Sequence, residues 1–152
     1  MIYLQDIPKD YTYCFSGKGI CPKADTCLRA IAAQVLTDST ENSPKVIQTI
    51  NPIYVQRLSP SESCPLYRDD KPVRYAKGMT QLFEDLPLKQ SRTVRLRVMR
   101  CFSCESFFYH CRRGIRLISP IEQEAIRNVF HQSGVESAPK FDAYQYSLAW
   151  EE

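Results

Sequence analysis

Thr93-Val94-Arg95-Leu96-Arg97-Val98-Met99-Arg100 reads two ways, and the choice sets the fold of the C-terminal half. Val94, Leu96 and Val98 alternate with Arg95 and Arg97, the period of a half-buried strand. As a helix, the arginines spread too far round for a clean apolar stripe. Periodicity alone therefore predicts β. The flanks are clearer. Downstream, Ser119-Pro120-Ile121-Glu122 places a hydroxyl, a proline and a carboxylate where a helix start needs them. Ile121, Ala125, Ile126, Val129 and Phe130 follow as its apolar face, with Gly134 as the left-handed stop. Between the two lies Ser103 to Arg113, a second helix closed by Gly114.

Upstream, Tyr75 to Leu86 is predicted helical, with Met79, Leu82, Phe83 and Leu86 on one side and Pro87 ending it. Residues 58–72, rich in Ser, Pro and Asp, read as loop. Lys45 to Ile50 reads as a short buried strand, and Thr37 to Pro44 as a polar break. A helix is predicted over 23–36, with Pro22 at its start and Cys27, Leu28, Ile31, Ala32, Val35 and Leu36 at helical spacing.

The 152 residues fit one compact domain or two small halves. No apolar run of about 18 residues is present, and the first residues have neither the basic flank nor the apolar core of a signal peptide. A cytoplasmic, non-membrane protein is expected. The net charge of +3 is unevenly placed. From Lys89 to Gly134 nine basic residues face three acidic ones, giving +6, and the remainder carries −3. Eight of the nine are arginines, whose planar fork matches phosphate oxygens and base edges. The same pattern also suits a solvated face, or one paired with the acidic remainder.

Seven cysteines cannot all pair within one chain. Cys14, Cys21, Cys27 and Cys64 form one group, with proline after Cys21 and Cys64. Four thiols suit tetrahedral zinc or an iron–sulfur cluster, while buried reduced thiols and disulfides remain open alternatives. Cys101, Cys104 and Cys111, beside His110 and among aromatics, read as core or surface thiols, with metal and redox roles as the alternatives. His131 reads as a last-turn helix residue. There is no G-x-S-x-G, no glycine-rich phosphate loop and no H-E-x-x-H, so the reading leans away from an enzyme.

The segment from Ser103 to Ile126 resembles the back half of a phage-repressor-like helix-turn-helix domain. The resemblance implies a recognition helix from Ser103 to Arg113, a cap at Gly114 and a packing helix from Ser119 to Phe130. It also implies that residues 90–101 are a preceding helix, against the periodicity, and the helix is taken. The whole chain is also similar to an uncharacterised family of small bacterial proteins. The likeness rests on Cys14, Cys21 to Arg29, Tyr75 to Met79, Arg113-Gly114, Ser119-Pro120, Phe141-Asp142 and Trp150. That likeness implies no activity.

The expected fold class is α+β, mostly helical. A small cysteine-containing module is expected over 1–86, and a basic, three-helix, helix-turn-helix-like module with a C-terminal tail over 87–152. The expected function is nucleic-acid binding, most simply of DNA, by a regulator-like protein with a structural metal site, zinc or iron–sulfur, at Cys14, Cys21, Cys27 and Cys64. Arg92, Arg95, Arg97 and Arg100 would grip phosphates. Glu105, Ser106, Tyr109 and Arg112 would approach base edges, with Arg113 and Arg116 in the same surface. The competing readings are a module that docks an acidic protein partner, and a metal or iron–sulfur redox protein. A homodimer fits the repressor-like resemblance.

Overall fold

The computed structural model describes residues 2–39, 43–59 and 63–150. Helix accounts for about 39% and strand for 13%, with two small sheets, so the class is α+β rather than mostly helical. The chain forms two compact units, Met1–Lys71 with Leu148–Glu152, and Pro72–Ser147. The division falls at 71/72 instead of the expected 86/87. The reason is that residues 73–86 supply a strand and four core side chains, Ala76, Met79, Leu82 and Leu86, to the second unit.

In unit 1, strand β1 (Thr12–Tyr13) runs parallel to β2 (Gln48–Thr49), with helix α1 (Leu28–Asp38) and the short helix α2 (Pro52–Arg57) around it. The predicted helix over 23–36 starts late. Ala24–Thr26 is a 3-10 turn, and Cys27 is extended and bridged to Asp69, which delays α1 to Leu28. From there Leu28, Ala32, Ala33 and Leu36 pack on Ile7, Tyr11 and Tyr13, and Trp150 meets Tyr11 edge-on at 5.0 Å. The expected strand over 45–50 shrinks to Gln48–Thr49 and is not buried, since Val46 is 88% exposed. Asn51 instead starts α2, its side chain accepting from the Ile53 amide with Pro52 at the first helical position. Residues 60–62 of the predicted loop lie outside the described residues.

Unit 2 contains β3 (Val73–Lys77), α3 (Leu88–Met99), α4 (Glu105–Arg112), β4 (Leu117–Ile118), α5 (Pro120–Gln132) and β5 (Ala143–Ser147). The strands form an antiparallel sheet in the order β4-β3-β5. The stretch from Thr93 to Arg100 lies in and just after a helix, so the alternation misled. Val94 and Val98, one turn apart, are the buried pair, whereas Leu96 is 53% exposed. The helix predicted from Tyr75 to Leu86 is absent. Tyr75 and Ala76 are buried in the central strand, and Gly78 turns the chain at φ +75°. A side chain at Gly78 would also collide with the Asp142 carboxylate, which accepts from the Thr80 amide and hydroxyl at 3.0–3.1 Å. Met79, Leu82 and Leu86 still reach the core, without a helix.

The predicted last helix is α5, with its capping box formed. Ser119 accepts from the Glu122 amide at 3.2 Å, and the Glu122 carboxylate accepts from the Ser119 amide at 2.9 Å. Gly114 and Gly134 both take φ +72°, the left-handed positions expected of them. Gln123 is buried on α5 and its amide donates to the carbonyls of Arg74 and Ile118, tying the helix to two strands. Strand β5 carried no clear sequence signal, because its residues are largely exposed.

Candidate functional site

The four cysteines grouped from the sequence come together in unit 1. Cys14, Cys21, Cys27 and Cys64 all line one small cavity of about 20 Å³. Each sits at an element end or in a loop: Cys14 follows β1, Cys27 precedes α1, and Cys21 and Cys64 are in turns. Backbone hydrogen bonds fix the four segments, the Cys21 amide donating to the Gly17 carbonyl at 3.0 Å. The Cys14 amide donates to the Arg29 carbonyl at 3.1 Å, the Cys27 carbonyl accepts from Ala30 and Ile31, and the Tyr67 amide donates to the Cys64 carbonyl. The Tyr67 hydroxyl reaches the Thr26 carbonyl at 3.0 Å, joining the Cys64 turn to the Cys27 turn.

Arg29 is the second clamp. It is only 2% exposed, and its guanidinium donates to the carbonyls of Leu66 at 3.1 Å and Thr12 at 3.0 Å. It thereby links the segments that carry Cys64 and Cys14. Ser16 also lines the cavity, is 2% exposed, and has a hydroxyl with no hydrogen-bond partner among the described residues. Buried hydroxyls are normally satisfied, so this orphan marks a polar demand at the cavity wall. Among the described residues no three Cys, His, Asp or Glu side chains are gathered closely enough to hold a metal ion. The four thiols border a common space and do not form a finished tetrahedron.

The trio in unit 2 behaves differently. Cys111 is fully buried in the core, with its sulfur against the Leu117 carbonyl and the Arg116 guanidinium. Cys101 is half-buried on the Arg97 carbonyl, and Cys104 is exposed. Burial, with the Glu122 charge adding to it, pushes the Cys101 thiol up from its ordinary value. Cys111 is thus a core thiol, Cys101 lies half-buried and Cys104 is at the surface.

The basic residues divide in the same way. At about 100° per residue, Lys89, Arg92, Leu96, Arg97 and Arg100 fall within roughly 140° of arc on the exposed side of α3. No acidic side chain occurs on that helix. Arg97 also donates to the Ser133 hydroxyl at 3.2 Å, and Arg95 leans over the Phe108 ring at 5.9 Å, half-buried. On α4, Glu105 and Ser106 are exposed, but Tyr109 packs edge-on against Phe108 and Arg112 is half-buried. Arg113 is exposed with its Nε on the Tyr109 carbonyl. Arg116 is committed elsewhere. It pairs with Glu122 at 2.8 Å with only 24% of its side chain exposed, and stacks over Phe107. Burial opposes its charge, but the bonds to Cys111 and Glu122 outweigh that and hold it above its ordinary value. It braces the α4–β4–α5 junction and is withdrawn from any phosphate-facing set.

A family model of a family of unknown function matches residues 1–150, across both units. The chain belongs to DUF6078. No curated protein and no solved structure matches it. For this member of DUF6078, no helix among the described residues is long and apolar enough to cross a membrane.

Three residues of this DUF6078 chain escaped the sequence reading as site residues. Ser16 stands two residues after Cys14, the spacing that puts side chains on one face of an extended segment. Arg29 occupies the apolar stripe of α1, three, four and seven residues before Ala32, Ala33 and Leu36, so its burial was written in the helical period. Lys89 was counted in the basic segment but not as a contact residue, because the expected helix began at 90; α3 starts at Leu88, which sets Lys89 one turn before Arg92 on the same face.

Proposed function

We propose that the protein is a non-enzymatic, regulator-like nucleic-acid-binding protein that holds the phosphate backbone with the exposed face of α3. The observation that carries this reading is that Lys89, Arg92, Arg97 and Arg100 share that face with no acid on the helix. The wider charge agrees: Pro72–Ser147 holds twelve basic and seven acidic side chains, while the rest of the chain is net negative. Helix α4 follows α3 after a short turn at 100–104, and its exposed Glu105 and Ser106 lie at the N-terminal end, where a recognition helix meets bases.

The test is binding of the full chain to a short DNA duplex at low salt, beside a variant with Lys89→Ala, Arg92→Ala and Arg100→Ala. Non-specific affinity in the range of roughly 1–100 μM is expected for the wild type. The triple variant loses most of it, while Arg116→Lys, which touches the internal brace, leaves the salt dependence unchanged. A second reading rests on Leu96, which is exposed in the middle of the basic residues. An apolar centre with a charged rim is the layout of a protein interface, and it fits an acidic protein partner. In that case Leu96→Ala abolishes partner capture, and duplex DNA is ignored.

A further inference from the structure

We propose that Cys14, Cys21, Cys27 and Cys64 are the ligands of a single zinc ion, and that the Ser16 hydroxyl donates a hydrogen bond to one of the bound sulfurs. This site lies in unit 1 alone and is independent of the nucleic-acid reading. Three observations converge on it. Four thiols from four separate segments line one cavity, together with the apolar residues Ala30, Ile50, Val55 and Leu66. The cavity, about 20 Å³, has room for about one water-sized particle. The Ser16 hydroxyl, buried and unpartnered among the described residues, belongs to a residue lining the same space, and a thiolate accepting from it would satisfy it.

The chemistry suits zinc. A d¹⁰ ion of borderline softness takes four sulfurs tetrahedrally at about 2.3 Å. Each ligand thiol gives up its proton, so one Zn²⁺ with four thiolates carries −2 and binding releases up to four protons. The buried Arg29 guanidinium donates to the carbonyl of the cavity residue Leu66 and so braces the cavity wall. Closure to ligand distance requires the thiols to draw inward. Cys21 and Cys64, in turns and only half-buried, have the freedom to do so, and Cys14 and Cys27 are held by β1 and α1. A groove of about 360 Å³ shares Cys14 and Ser16 with the cavity, and a smaller one of about 60 Å³ shares Cys21 and Cys64.

The test uses the full chain, purified under reductant, loaded with Zn²⁺ or with Co²⁺ as a spectroscopic substitute, and freed of unbound metal. About one zinc per chain is expected by elemental analysis, with the thiolate-to-metal and tetrahedral bands of a sulfur-ligated site in the cobalt form. Cys21→Ser and Cys64→Ser each lose the metal, whereas Cys104→Ser, at an exposed thiol of unit 2, retains it. In case a ligand variant fails to fold, thiol titration of the wild type gives the same answer, since zinc protects four of the seven cysteines from a thiol reagent. Ser16→Ala keeps the stoichiometry but weakens zinc binding about 10- to 100-fold. The site is overturned by a reduced chain that takes up no zinc, by zinc retained in both ligand variants, or by an octahedral cobalt spectrum. It is equally overturned by protein whose mass, without reductant, shows these thiols joined as disulfides. An unchanged affinity in Ser16→Ala removes Ser16 from the proposal.

Discussion

The two groups of cysteines are chemically alike and structurally opposite. In unit 1 the four thiols stand at turn and element ends around a shared space. In unit 2 Cys111 is buried on the core side of α4, Cys101 lies just after α3 with its sulfur on the Arg97 carbonyl, and Cys104 faces solvent. The difference shows that thiol count and spacing matter less than where in the fold the residues fall. A cysteine at a loop end can turn toward a ligand, whereas one on a buried helical stripe is held by its neighbours. On the zinc proposal the two units would be stabilised differently, unit 1 by its core and a bound ion, unit 2 by packing and helix caps.

The largest expected effect separates the units directly. Zinc at a thousandfold excess over its Kd adds about 4 kcal/mol to any state that binds it. Trp150, the single tryptophan, packs on Tyr11 in unit 1, so its fluorescence reports that unit alone. Chelation should lower the unfolding transition seen by Trp150, and a transition indifferent to zinc would erase the contrast. Gly78→Ala comes next, at about 3 kcal/mol, from a positive φ and the collision with Asp142. That loss should appear in the unfolding of unit 2 whether or not zinc is present. Ser119→Ala removes one half of the α5 capping box and should cost about 1 kcal/mol, read as a shift of the urea midpoint.

The smallest effect is a pH dependence. The Cys101 thiol is raised in the folded state by burial and then by Glu122, so the folded form holds its proton more tightly than the unfolded chain does. Its contribution is present below the unfolded value of about 8.5 and is lost as pH rises through the folded value. Unit 2 should therefore weaken at alkaline pH, and Cys101→Ala should flatten that part of the profile. A profile unchanged by Cys101→Ala would assign the dependence to other groups.

Much of the helical framework was legible because it is local. The Ser119 to Glu122 box and the glycines at 114 and 134 specify α5 and the end of α4 without tertiary help. The failures are non-local. Val94, Leu96 and Val98 alternate along the chain, yet only the first and last face the core, which becomes visible once α3 packs. Tyr75 and Ala76 belong to a strand because β4 and β5, distant in sequence, pair with β3 on both sides. At the candidate site, the quartet was legible as a group of like residues. Arg29 and Ser16 were not, since a buried guanidinium and a buried hydroxyl acquire meaning only from the carbonyls and thiols that folding brings near them.

The nucleic-acid reading of α3 meets its most direct test in the salt dependence of duplex binding. Four phosphate contacts from Lys89, Arg92, Arg97 and Arg100 predict that log K falls with log salt with a slope of roughly −3 to −4, at about 0.9 per contact. The Lys89, Arg92 and Arg100 triple variant should bring that slope to about −1. A slope near zero, or no binding tighter than about 0.1 mM at low salt, would contradict the account.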